Sequence, residues 1–103
     1  MKFQELKSDE GFDVLLEIMA EVEVITSDPQ YQEYIENGRK KNKAIGDNTF
    51  ARLLYKDHRE TTYRIIALAN QTDAETVKAQ DYPVTMKQIR EILQDAEIAS
   101  FFV

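Results

Sequence analysis

Residues 8–25 read SDEGFDVLLEIMAEVEVI, and the spacing of their apolar side chains decides the fold class. Phe12, Leu15, Leu16, Met19 and Val22 recur at i, i+3, i+4, i+7 and i+10, the signature of one helical face rather than of a strand. Ser8 or Asp9 is placed to cap that helix, and Asp9, Glu10 and Asp13 set negative charge against the positive end of its dipole. Val14, Ile18 and Ile25 widen the stripe past what a single neighbour covers. The expectation is a central helix packed against at least two others.

Working outward, Thr26, Ser27 and Asp28 break the pattern, and Pro29 suits the first turn of a second, short helix. Tyr31, Tyr34 and Ile35 give it apolar contacts, and Gly38 ends it. Residues 39–47 lack apolar periodicity and close on the turn signal Ile45-Gly46-Asp47-Asn48, which reads as a mobile basic loop. From Asn48 or Thr49 onward, Phe50, Leu53 and Leu54 begin a third helix. Thr62, Ile65, Ile66 and Ala69 continue the period beyond a polar interval at residues 56–60, which predicts two helices with a kink near His58. Asp73 caps one or two turns anchored by Val77. Pro83 and Thr85 open a last helix carrying Met86, Ile89, Ile92 and Leu93, interrupted at Asp95 before Ile98, Phe101 and Phe102. Strand periodicity, repeats and Gly/Ser linkers are lacking. The pattern predicts an all-α, compact single-domain bundle of about five or six short helices over residues 1–103.

Composition narrows the function. A length of 103 residues with 43% hydrophobic content supports one modest core. The chain has no cysteine, so thiol chemistry, disulfides and Cys-ligated metals are excluded, and a reducing compartment, the cytoplasm, is expected. No apolar run suits a signal peptide or a membrane span. The net charge of −6 is unevenly spread: residues 1–36 hold ten acids against two bases, and residues 37–64 hold eight bases against three acids. Such a basic centre between acidic flanks pairs within the fold or steers a partner.

Few constellations suggest chemistry. His58, the sole histidine, lies beside Asp57 and Glu60, but neighbours in a helix do not face one another, so a capping or surface role is expected rather than catalysis. Glu17, Glu21 and Glu23, or Asp28, Glu33 and Glu36, lack the Asp/Asn-Gly loop of a calcium site and read as solvated faces. Three glycines and no phosphate-binding motif leave no nucleotide cradle, and no cofactor or metal is expected. Arg39, Lys40, Lys41 and Lys43, with Arg52, Lys56, Arg59 and Arg64 further on and Tyr34 and Tyr55 interleaved, form the sole footprint for phosphate contacts. A small nucleic-acid-binding regulator using residues 39–64 is the alternative reading, although the acidic ends oppose it and a protein-docking segment is preferred. At the other end Phe101 and Phe102 point about 100° apart on a helix. One of the pair, with Ile98 and Val103, is therefore either a clasp on the bundle or an apolar anchor for a partner or a second copy.

The run Phe50-Ala51-Arg52-Leu53-Leu54, then Tyr63-Arg64-Ile65-Ile66-Ala67-Leu68-Ala69, then Thr72-Asp73-Ala74-Glu75-Thr76-Val77, then residues 89–98 and the closing Phe101-Phe102 resembles the small tail assembly chaperones of long-tailed bacteriophages and prophages. The likeness covers residues 48–103, and its motifs are packing motifs. It implies a non-enzymatic, all-helical, oligomer-forming protein of the host cytoplasm, outside the mature virion. Its client would be the aggregation-prone tape-measure protein, with the major tail protein as a further partner.

Overall fold

The computed structural model describes residues 1–41 and 48–103, and of residues 39–41 the backbone alone. A 3₁₀ turn, Lys2–Glu5, precedes α1 (Ser8–Thr26), α2 (Pro29–Lys41) and α3 (Asn48–Arg52). A π-helical turn, Leu53–Asp57, leads to α4 (Arg59–Asn70), α5 (Ala74–Lys78), α6 (Tyr82–Gln94) and α7 (Ala96–Ser100). The described residues contain no strand, and the chain is the all-α bundle that its periodicity implies. The helix beyond the expected count is α7. Asp95 interrupts the pattern because its Oδ1 accepts the backbone N–H groups of Glu97 and Ile98, at 3.0 and 3.1 Å, and so starts a new helix.

The central helix is α4. Thr61, Thr62, Ile65, Ile66, Ala67 and Ala69 are all buried in it, and it touches α1, α5, α6, the π turn and the N-terminal 3₁₀ turn. Its small and β-branched side chains let neighbours approach from several sides. α1, expected to hold that place, meets α4, α2, α7 and the N-terminal 3₁₀ turn but is covered on one side only. Ile18, Val22 and Ile25 have no exposed surface, and Val14 and Leu15 are half-buried beside them. The buried arc thus lies roughly a quarter of a turn from the Phe12–Leu15–Leu16–Met19–Val22 face read from spacing. Asp9, Asp13 and Glu23 share the side of Phe12 and Leu16, so burying that side would draw carboxylates under with it. The cap also differs: Lys7, with extended backbone and no side-chain cap, occupies the N-cap position, and Ser8 is the first helical residue.

At the start of α2, Asp28 Oδ1 accepts the Gln30 N–H at 2.8 Å, while its carbonyl accepts from Tyr31 and Gln32. The helix runs through Gly38 to Lys41 rather than ending there. A glycine stops a helix when it turns left-handed; inside one it costs about 1 kcal/mol, and this helix carries that cost. Of the predicted basic loop, residues 39–41 are therefore helical, and residues 42–47, with Lys43 and the Ile45-Gly46-Asp47 turn, lie outside the described residues.

The kink expected near His58 is a break with its own bonding. His58 (φ −125°, ψ 39°) donates its N–H to the Leu53 carbonyl at 2.9 Å. The Leu54 and Tyr55 carbonyls, freed from the helical ladder, accept from Thr62 Oγ1 at 2.7 Å and Arg59 Nε at 2.6 Å. At the far end of α4, Gln71 takes a left-handed conformation (φ 57°), the sole positive φ of a non-glycine residue among those described. Thr72 N–H then reaches the Ala67 carbonyl at 2.9 Å and Gln71 N–H the Leu68 carbonyl at 3.3 Å, closing the helix in a Schellman turn. Asp73 caps α5 through Thr76 N–H, and Val77 is buried beneath it, as expected.

Candidate protein-binding surface

The C-terminal residues read as an anchor divide between inside and outside. Ile98 and Phe102 are buried, Phe101 is half-buried, and Val103 is 75% exposed. Phe102 belongs to an aromatic cluster in which Tyr31, Tyr34 and Phe50 stand with ring centroids 5.7–6.5 Å apart. The Tyr31 hydroxyl donates to the Phe102 carbonyl, and burial, with Tyr34 adding to it, pushes the Tyr31 phenol up to about 12. The clasp therefore occupies Ile98 and Phe102, leaving an open groove of about 540 Å³ between Ile35, Gln32 and the chain end at Val103.

Of the basic side chains, Arg64 is tied by Nε to Glu21 Oε2 at 3.0 Å and by Nη2 to Thr61, and Arg59 is turned onto the Tyr55 carbonyl. Arg52 and Lys56 are exposed. The side chains of Arg39, Lys40, Lys41 and Lys43 lie outside the described residues. His58 faces neither Asp57 nor Glu60. Its Nε2 meets Asp28 Oδ2 at 2.7 Å, joining the α1–α2 turn to the break before α4. This bond, followed by the Gln30 N–H, holds the Asp28 carboxyl below the usual carboxylate range. With Oδ1 capping α2 and Oδ2 on His58, Asp28 serves as a brace between the two elements. Among the described residues no three His, Asp or Glu side chains converge to hold a metal ion.

The feature that spacing alone misplaced is on α1. Phe12 is 64% exposed, Leu16 58% and Val24 47%; with the exposed Ala20 they fall at i, i+4, i+8 and i+12, one continuous ridge on the outer side. The molecule is 19 Å deep along its short axis, about two helix layers, so α1 in an outer layer keeps one side open. Beside the ridge an open groove of about 350 Å³ runs between α1 and the α4–α5 corner. Ala20, Ala67, Leu68 and Ala74 are its apolar lining, and Glu17, Glu21, Asp73 and Arg64 its charged one. The signal for this surface was present in the sequence: an apolar i+4 series with a parallel i+4 series of acids beside it.

No helix among the described residues is long and apolar enough to cross a membrane. Comparison with protein-family models, with curated proteins and with solved structures finds no match to the chain.

Proposed function

We propose that this chain is a non-catalytic protein-binding subunit of the tail assembly chaperone kind. It covers apolar stripes on a long helical client, the tape-measure protein, with the major tail protein as a second partner. It does so in the host cytoplasm during tail morphogenesis and is left out of the finished virion. The observation that carries this reading is the outer ridge of α1. The helix is held in place by Ile18, Val22 and Ile25, so Phe12 and Leu16 are left free for a partner. An apolar ridge on a helix suits helix-against-helix docking. Covering one half-exposed side chain of this size contributes roughly 1–2 kcal/mol. A single copy therefore binds weakly, and several copies along one stripe hold a long client by multivalency.

The test is co-expression with a tape-measure protein, reading its soluble fraction and its co-purification with the tagged chain. The expected result is a soluble client that accompanies the parent chain and precipitates with the Phe12→Ser, Leu16→Ser double variant. A client equally insoluble with and without the chain would overturn the reading.

A further inference from the structure

We propose that the outer face of α1 selects a basic amphipathic helix, by setting the apolar ridge Phe12–Leu16–Ala20–Val24 alongside the acidic ridge Asp9–Asp13–Glu17. This deepens the chaperone reading and rests on it for the nature of the client, since it names the chemistry of the client segment. Both series advance by four residues, so they run side by side at the same inclination along the helix, the acids about 60° around from the apolar residues. Glu21 would continue the acidic series but is committed to Arg64. Asp9, Asp13 and Glu17 form no ion pair with any base among the described residues. All three are exposed and lie in the segment of the chain with ten acids against two bases.

The geometry limits the occupant. Phe12 to Val24 covers about 18 Å of helix, a little over three turns. Ala20, the small residue of the ridge, stands where the groove to Leu68 and Ala74 opens, which lets a second helix approach closely there. The occupant is then a helix with its own i+4 apolar ridge and with Lys or Arg along the flank that meets Asp13 and Glu17. Charge decides against a second copy of α1 in this position, because pairing two such faces brings two acidic ridges into one contact. It decides likewise against a client helix flanked by acids.

The experiment uses the full chain and two labelled, stapled helical peptides with the same Leu/Ala apolar ridge, one flanked by Lys and Arg and the other by Glu, followed by fluorescence anisotropy at low and high salt. The basic peptide is expected to bind at least about tenfold more tightly at low salt, and the preference is expected to collapse at high salt. Leu16→Ser should weaken binding of both peptides, whereas Asp13→Lys with Glu17→Lys should abolish the preference while leaving the circular dichroism spectrum and melting temperature near those of the parent. Equal binding of both peptides, binding of neither, or a dimer that Leu16→Ser dissociates would overturn the proposal. Co-expression separates the two readings. A client captured equally by the parent and by the double lysine variant sinks the basic-helix assignment and leaves the chaperone reading standing. Discrimination between the peptides with no client captured does the reverse.

Discussion

The C-terminal segment and the outer side of α1 both carry more apolar surface than one helix face needs, and the fold treats them differently. Around Phe102 the neighbours are aromatic rings and a tyrosine hydroxyl that satisfies the backbone carbonyl, so the segment closes inward. Around Phe12 and Leu16 the neighbours are Asp9, Asp13 and Glu17, whose carboxylates keep water at that side. Burial of an apolar side chain is therefore decided by the company it keeps along the helix as much as by its own hydrophobicity.

Substitutions that truncate each side bring out the contrast most strongly. Phe102→Ala should cost about 3–5 kcal/mol of unfolding free energy in a denaturant titration, while Leu16→Ala should stay within about 0.5 kcal/mol of the parent. Comparable losses from the two would show that Leu16 is enclosed rather than open to a partner. Ile18→Ala, on the covered side of the same helix, should cost about 2–5 kcal/mol, which separates the two faces of α1 within one element. The clasp should also respond to base. Tyr31 has its phenol raised from 10.0 to about 12, so its contribution is complete below the unfolded value and is lost as pH rises through that interval. Thermal melts across this range should show a falling limb that Tyr31→Phe flattens.

Smaller effects are expected at the joints. Gln71→Gly removes the left-handed strain of a side-chain-bearing residue and should raise stability by up to about 1 kcal/mol, less whatever the Gln71 side-chain bond to Leu68 contributes. Asp28, whose carboxyl lies below its ordinary value, stabilises the fold above the unfolded carboxylate pKa and loses that contribution as pH falls through its own. Asp28→Asn should therefore shallow the acid limb of the stability curve, and an unchanged limb would mean that the His58 contact does not brace the fold.

Much of this was legible in the chain. Asp73 announced a helix start because a short carboxylate ahead of free backbone N–H groups is a local arrangement that needs no tertiary information, whereas Asp95, which makes the same arrangement at the start of α7, reads in the sequence only as an interruption. The break near His58 was visible as a polar interval, though its repair by Thr62 and Arg59 was not, since those bonds depend on a π turn with no compositional mark. The buried side of α1 was ambiguous for a specific reason. Two apolar arcs satisfy helical periodicity, and the choice between them rests on which arc carries carboxylates beside it. Gly38 and the Tyr31–Phe102 bond were beyond local reasoning, because one depends on the backbone conformation the glycine adopts and the other joins residues far apart in sequence. Of the C-terminal anchor candidates Ile98, Phe101, Phe102 and Val103, the fold buries Ile98 and Phe102, half-buries Phe101 and exposes Val103, an ordering that depends on the aromatic cluster and not on apolar content alone.

The turn at Leu53–Asp57 winds one residue more into its bonded loop than an α-helical turn does. Deleting a single residue there would rotate α3 by about 100° relative to α4, swinging Phe50 away from Tyr34 and Phe102. The segment is thus indifferent to the identity of exposed Lys56 and Asp57 yet intolerant of any change in length, so in-frame codon loss at this point is a far harsher mutation than most missense changes around it.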